Sequence, residues 1–146
     1  VNRDSLIEAL ISDKLANPFA ACAAAYVGIA TLADNATPPP WTDWLDNLMM
    51  FFDWLPDGAI IRGAHLLKTA QTLPELETAL TAFKTAFRRG IPFYTVGLQH
   101  LLNGLYMFSE QDAQAKSMHE QVSVVASRVD SSQAFAQIMI GVPVAK

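Results

Sequence analysis

The sequence predicts an all-α fold: a right-handed stack of antiparallel helical hairpins, with about three hairpin units plus capping helices. Strand signals are nearly missing, because the only dense patch of β-branched residues, at 122–129, repeats at helical spacing. Proline breaks also recur, since Pro18, Pro56 and Pro92 lie 38 and 36 residues apart. Each break is followed by a helix of small or medium residues and then by a second helix with aromatic bulk.

An internal sequence similarity supports the same interpretation. Residues 61–67 (IRGAHLL) resemble residues 96–102 (VGLQHLL) at an offset of 35, which places His65 and His100 at equivalent positions. A period in the mid-thirties with two helices per unit is typical of a helical-hairpin solenoid. A hairpin of this kind cannot bury its apolar face alone, so the units are expected to stack on one another.

Proline and asparagine residues divide the first half of the chain into four predicted helices. Asn17 followed by Pro18 is an N-cap with proline at the first helical position. Residues 34–40 (DNATPPP) are predicted as a loop, because consecutive prolines do not continue a helix. The helix after this loop is rich in Trp and Phe and is expected to contribute most to the core. The four helices are predicted at about 3–15, 18–33, 42–54 and 59–70.

Capping signals divide the second half of the chain. A polar cap residue followed three positions later by an acidic residue or glutamine marks three predicted helix starts, and glycine followed by proline marks one end. The starts are Thr72 with Glu75, Ser109 with Asp112 and Asp130 with Gln133, and the end is Gly90 before Pro92. Four helices are therefore expected. The first runs from Thr72 to about Gly90, the second covers 93–108, the third runs from Ser109 to Val129, and the last runs from Asp130 to Ile140, with 141–146 as a tail.

We interpret the chain as a single helical domain. Residues 1–16 form an N-terminal capping helix, residues 17–55, 56–91 and 92–129 form the hairpin units, and residues 130–146 form a C-terminal helix and tail. Because the chain starts at Val1 and not at Met, we expect it to be a trimmed form or a piece of a longer protein.

The unit at residues 57–92 carries a specific pattern of small, aromatic and proline residues. Its second helix has Ala79, Phe83 and Ala86 at spaced positions, and Pro92 follows its end; its first helix has Ile60, Ala64 and Leu67. With about three extra residues in the turn at 71–74, this pattern resembles the tetratricopeptide repeat family. The layout extends over residues 18–129, but the 18–55 unit has a long Pro-rich loop and the 92–129 unit lacks the aromatic–alanine pattern.

Composition excludes several classes of protein. Apolar residues make up 51% of the chain and charged residues 16%, which favours a folded domain over a disordered one. The net charge of −4 argues against nucleic-acid binding, which needs a basic surface.

Residues 18–33 are too short and too alanine-rich to span a membrane, and Asp4 and Glu8 stand where a secretory signal needs basic residues. We therefore expect a cytoplasmic protein that does not bind membranes. The single cysteine, Cys22, is expected to be a buried, inert thiol.

Two polar strips are the candidate ligand-binding groove. One runs along the fourth helix and the other along the sixth, and the family resemblance implies that first helices line a concave surface. The six residues are Arg62, His65, Lys68, Gln99, His100 and Asn103. The alternative is that they only solvate the outer face, or that the histidines are hydrogen-bonded core residues. No metal and no cofactor are expected, because a zinc site needs three or four ligands and no Cys or paired carboxylate accompanies His65 and His100.

Two further sets of residues are candidates for partner contacts. Met50 and Phe51 lie on a helix that is apolar nearly all round, so they are candidate interface anchors, with core packing as the alternative. Lys84, Arg88 and Arg89 form a basic patch that is a candidate anion contact. Their favourable interaction with the negative end of a helix dipole explains them equally well.

The function predicted from these residues is a non-enzymatic module that binds a protein or peptide, or another domain of the same longer chain. A second copy of the chain is a further candidate partner, through the helix at 42–54. The alternative function is a small-molecule or lipid pocket between the Ala/Gly-rich and the Trp/Phe-rich helices. No catalytic residues are predicted, because the nucleophile elbow, P-loop, zinc-protease and dinucleotide-binding motifs are all missing from the sequence.

Overall fold

A computed structural model describes residues 2–33 and 37–138 of the chain. Within these residues the fold is all-α, as predicted: seven α-helices and one short 3₁₀ helix, with no β-strand beyond two isolated bridges. The α-helices are α1 (Arg3–Ser12), α2 (Pro18–Thr31), α3 (Leu45–Phe51), α4 (Pro56–Thr69), α5 (Leu73–Arg89), α6 (Thr95–Phe108) and α7 (Ala113–Ala126). The 3₁₀ helix, Pro40–Trp44, precedes α3. None of the described helices has the length and apolar character needed to cross a membrane.

Three of the predicted caps are confirmed. The Asn17 side chain accepts a 3.0 Å hydrogen bond from the amide of Ala20, and Pro18 is the first residue of α2. Thr72 and Glu75 form the complete capping box at the start of α5. Gly90 ends α5 with a φ of 112°, a left-handed conformation that glycine adopts without a steric penalty.

Helix α4 lies at the centre of the fold. It packs against α2, α3, α5 and α6, and ten of its 14 residues are buried. Short turns join α4 to α5 and α6 to α7, so each pair is a helical hairpin. Asp57 meets Gly97 near the starts of α4 and α6, while Ala64 and Lys68 face Asn103 further along. These contacts show that α4 and α6 run in the same direction.

The core is organised around the ring of Phe83, which is fully buried. The ring packs on Gly63 of α4, where a Cβ atom, if one were present, would lie only 2.9 Å from it, and it packs even closer on Gly104 of α6. The structure shows that an aromatic side chain of α5, and not a helix backbone, fills the space.

The aromatic helix predicted at 42–54 is shorter than expected. The chain forms the 3₁₀ helix before α3 begins. At its other end α3 stops at Phe51, because Arg89 donates hydrogen bonds to the carbonyls of Met49, Phe52 and Leu55 and stabilises a turn there. Trp41 is buried as expected, but Trp54 is 55% exposed. The prediction that residues up to Trp54 form one core helix was therefore wrong at its C-terminal end.

Two predicted helix starts need correction. Pro92 does not open α6, since the backbone amides of Phe93 and Tyr94 bind the Asp57 carboxylate and the helix begins at Thr95. The N-cap of α7 is Asp112, whose side chain accepts a 2.7 Å hydrogen bond from the amide of Ala115, and not Ser109. Residues 109–111 form the turn before it.

The helix predicted at the C-terminal end does not form over residues 130–138. Asp130 accepts hydrogen bonds from the amide and hydroxyl of Ser132, which stabilise a turn in place of the first helical turn. After this turn, Phe135 pairs with Tyr94 and Ile138 pairs with Val129 in isolated antiparallel bridges. Residues 139–146, like 34–36 of the predicted loop, lie outside the described part of the chain.

Candidate binding groove

An open cleft of about 710 Å³ lies between α2 and α6. Its lining is mainly apolar, and it includes residues of α2, the start of α6 and residues 131–134. The α2 and α6 residues that line it are Ala23, Tyr26, Val27, Ala30, Tyr94, Thr95, Val96 and Gln99. Val27 and Val96 are 51% and 45% exposed, so this cleft presents apolar surface to solvent.

A second hollow of about 330 Å³ adjoins the cleft, because Ala30 lines both. It is bounded by the C-terminal half of α2, by α4 and by α6, and its lining residues include Ile29, Leu67, Lys68, His100, Asn103 and Met107. We call the cleft and this hollow together the inter-helix groove. It follows the space between α2 and α6, with α4 along part of its base.

The structure brings four of the six predicted groove residues to this groove. Lys68, His100 and Asn103 line the hollow, and Gln99 lines the cleft. Gln99 donates a 3.0 Å hydrogen bond to the Asn103 side chain, which links the two parts. The predicted strip on α6 is therefore a continuous feature, although only Lys68 joins it from α4.

The other two predicted residues lie elsewhere. Arg62 forms an ion pair with Asp46 of α3, on a different side of α4. His65 is 7% exposed, and neither ring nitrogen has a hydrogen-bond partner among the described residues. Burial lowers the pKa of His65, and the nearby Arg62 charge lowers it further, so the ring is neutral at pH 7.

The groove has a largely uncharged base. The ring of His100 stacks in parallel on Tyr26 at 5.8 Å between centroids, and burial lowers the pKa of His100. Lys68 supplies a positive charge, but its ammonium group donates a 3.0 Å hydrogen bond to the Ile29 carbonyl near the end of α2. Such a contact stabilises a helix C-terminus. The available chemistry is therefore apolar contact and amide hydrogen bonding.

A buried carboxylate lies directly beneath the cleft. Asp57 is fully buried and accepts hydrogen bonds from the Tyr26 hydroxyl, at 2.9 Å, and from the amides of Phe93, at 2.6 Å, and Tyr94, at 3.2 Å. Burial raises the pKa of Asp57, and these hydrogen bonds oppose the rise. No local sequence signal singles out Asp57, because its three hydrogen-bond donors are distant along the chain.

Comparison with known families identifies the chain. A family model for the Y4kD C-terminal domain matches residues 1–138. The chain belongs to the Y4kD C-terminal domain family. No match was found among curated proteins or among solved structures. The inter-helix groove and the Asp57 carboxylate both lie within the matched part of this Y4kD C-terminal domain.

In this Y4kD C-terminal domain, the candidate anchors Met50 and Phe51 lie outside the groove. They are 65% and 56% exposed at the end of α3, and Trp54 in the next turn is also exposed. The aromatic rings continue from Trp54 to Phe19 at 5.8 Å between centroids, and from Phe19 to Phe93 at 4.5 Å. An aromatic row, in which Phe19 is half-buried and Trp54 and Phe93 are exposed, therefore extends towards the start of α6.

The three residues of the predicted basic patch do not share one surface. Lys84 pairs with Asp112 at 2.6 Å across the α5–α7 contact. Arg89 binds the three carbonyls at the end of α3, and Arg88 is exposed. Two of the three charges thus have structural partners within the chain. In the described part of the chain, no three His, Cys, Asp or Glu side chains lie close enough together to hold a metal ion.

Proposed function

We propose that this chain is a non-enzymatic interaction module of tetratricopeptide-like architecture, and that its inter-helix groove binds a segment of a partner protein. The observation that carries the proposal is the groove itself: an open cleft with an apolar lining and a rim of amide side chains. The parallel direction of α4 and α6 and the two clear hairpins support the stacked-hairpin architecture.

Recognition in this groove combines apolar and polar contacts. Val27, Val96 and Met107 are exposed apolar residues along it, and exposed apolar groups in a concave surface are typical of binding sites. Gln99 and Asn103 provide amide donors and acceptors that fit a peptide backbone. This combination favours a short protein segment over a charged ligand.

The partner is a separate protein or another domain of a longer chain. The family name describes a C-terminal domain, which supports the second of these. We also propose a cytoplasmic location, with which the buried free thiol of Cys22 is compatible.

The small-molecule alternative has weaker support, because the ring of Trp41 packs directly on Gly28 where the predicted pocket between α2 and the Trp/Phe-rich segment would lie. A half-enclosed apolar cavity between α5, α6 and α7 has a volume of about 210 Å³ and is lined by Phe87, Pro92, Leu98, Leu101 and Val122 among others. Ligand pockets are usually about 300–1,000 Å³. The larger cleft is open along its length, which suits a chain segment better than an enclosed ligand.

Affinity capture followed by titration tests the proposal. The full chain is immobilised, captured proteins are identified by mass spectrometry, and each purified candidate is titrated against Val27→Glu and Val96→Glu. Val124→Glu on α7 is the matched control, because Val124 is 59% exposed and does not line the groove. We expect the groove variants to lose about tenfold or more in affinity and the control to change little. Equal affinity for all three variants would exclude the groove as the binding surface.

A further inference from the structure

A non-helical segment of the chain itself lies at one end of the inter-helix groove. We call residues 131–136 the strap. The amide of Thr95 donates a 3.0 Å hydrogen bond to the Ala134 carbonyl, and the amide of Ala136 donates a 2.9 Å bond to the Phe93 carbonyl. Tyr94 and Phe135 are therefore paired as in an antiparallel sheet, at the point where the chain enters α6.

The strap is held by few contacts. The ring of Phe135 packs on Phe93 and Tyr94, at 5.1 and 5.5 Å between centroids, but Phe135 is still 50% exposed. The strap residues before Phe135 are all exposed. Two backbone hydrogen bonds and one shallow aromatic contact join the strap to the start of α6. The remaining hydrogen bonds are local, from Gln133 and Ser132 to Asp130, and segments with so few buried contacts open at low free-energy cost.

The strap also borders the site where a partner is proposed to bind. Ser131, Ser132, Gln133 and Ala134 line the cleft together with Tyr26 and Gln99. Beyond the strap, the aromatic row continues from Phe93 to Phe19 and Trp54, and the strap does not extend along it. A longer segment that started at the strap position would therefore gain aromatic contacts that the strap lacks.

We propose that the strap is a built-in surrogate ligand, which a partner displaces with an extended segment that pairs with residues 93–95 and places an aromatic side chain where Phe135 lies. The mode of recognition is strand addition, in which backbone hydrogen bonds give affinity and a side-chain pocket gives specificity. This inference rests on the proposed function and names its partner class: an extended segment with an aromatic residue between two small ones, as in Ala134-Phe135-Ala136.

A peptide of the chain's own sequence is the probe. A fluorescent peptide of residues 130–138 is titrated by anisotropy against the full chain, and the matched control peptide has Ala in place of Phe135. In the wild-type chain the tethered strap competes at a high effective concentration, so we expect weak binding. Phe135→Ala and Ala136→Pro each weaken the strap, and both are expected to raise peptide affinity about tenfold or more.

A second variant removes the receptor side of the pairing. Thr95→Pro deletes the amide that binds Ala134, and proline fits there because Thr95 is the first residue of α6 and Tyr94 is already extended, with φ −95° and ψ 138°. The Thr95 hydroxyl has no hydrogen-bond partner among the described residues, so no side-chain bond is lost. We expect Thr95→Pro to abolish the gain produced by Ala136→Pro.

Hydrogen exchange reports on the strap without any partner. The amide of Thr95 is expected to exchange faster in Phe135→Ala and Ala136→Pro, while amides within α4 keep their protection. If both variants lose protection throughout the core, the strap is an integral part of the fold and the inference is overturned. A doubled mass in solution would overturn it as well, because the strap would then be exchanged between two copies.

The two proposals fail in different ways. If Val27→Glu and Val96→Glu do not change partner affinity, the groove is excluded as the binding surface, but the peptide results remain valid. Partner affinity that falls in the groove variants, but does not fall when Thr95→Pro is added to Ala136→Pro, removes the strand-addition inference alone. Failure of the peptide to bind either weakened-strap variant also removes it.

Discussion

The hydroxyl of Tyr26 donates a 2.9 Å hydrogen bond to Oδ1 of Asp57, and both side chains are buried. The bond joins the middle of α2 to the first turn of α4. The same carboxylate binds the amides of Phe93 and Tyr94, so three segments that are distant in sequence meet at one charged group. Removal of a hydrogen-bond donor from a buried charge leaves part of its desolvation uncompensated.

Tyr26→Phe is therefore expected to destabilise the chain by about 1.5–3 kcal/mol, because it removes one hydrogen bond to a buried carboxylate and little packing. The measurement is urea unfolding followed by circular dichroism. Tyr106→Phe is the matched control, since Tyr106 is 67% exposed on α6 and its change should stay within about 0.5 kcal/mol. A loss for Tyr26→Phe no larger than that of the control would show that the carboxylate does not depend on this donor.

Two histidines should make stability depend on pH. The pKa of His65 and that of His100 are both lowered from their ordinary value of 6.5, chiefly by burial. Below pH 6.5 the unfolded chain therefore binds more protons than the folded chain. The stability from these neutral rings is fully present above pH 6.5 and is lost as the pH falls through 6.5 towards the lower folded values.

We expect the free energy of unfolding to fall between about pH 7 and pH 5, with a slope of at most about 1.4 kcal/mol per pH unit for each histidine. His65→Leu should reduce this slope and leave the chain equally or more stable at pH 7, since neither ring nitrogen of His65 has a hydrogen-bond partner among the described residues. Urea unfolding at several pH values gives both quantities. A double variant, His65→Leu with His100→Leu, that kept the full slope over this range would contradict the assignment.

The sequence predicted the features that depend on neighbours in the chain. The capping box at Thr72 and Glu75, the N-cap at Asn17 and the stop at Gly90 were correct, because each involves residues within about four positions. Several of the failures involve distant residues, although the N-cap at Asp112 and the turn at Asp130 are local features that the pattern misassigned. The strap was predicted as helix, since the amide of Thr95 that binds Ala134 is far away along the chain.

The groove was predicted only in part, because its lining also depends on contacts between residues that are distant along the chain. Helical period assigns a residue to a face, but it does not say which neighbour that face meets. The strip on α6 faces solvent and the groove, so Gln99, His100 and Asn103 lie as expected. The strip on α4 does not, because α4 is surrounded on several sides; His65 is buried and Arg62 binds Asp46.

Gly104→Ala is expected to destabilise the chain although alanine is the better helix former. The new methyl group would overlap the ring of Phe83, and overpacking costs about 1–3 kcal/mol or more, against a helix-propensity gain of about 1 kcal/mol. Gly104→Ala combined with Phe83→Leu should be less unstable than the sum of the two single variants, because the smaller side chain leaves room for the methyl group. Thermal unfolding of all three variants measures this coupling, and strict additivity would show that the ring and the glycine do not compete for space.

Arg89 and Arg88 are neighbours in sequence, but their substitution is expected to change stability by different amounts. The Arg89 guanidinium donates hydrogen bonds to the carbonyls of Met49, at 2.9 Å, and of Phe52 and Leu55, at 3.3 Å each, and so stabilises the turn between α3 and α4. Arg89→Met keeps much of the aliphatic volume but leaves these carbonyls without their donor, at an expected cost of about 1–3 kcal/mol. Arg88→Met removes the same charge from an exposed position and should change stability by no more than about 0.5 kcal/mol. Chemical unfolding distinguishes the two, and similar losses would mean that the charge itself, and not the three hydrogen bonds, stabilises the end of α5.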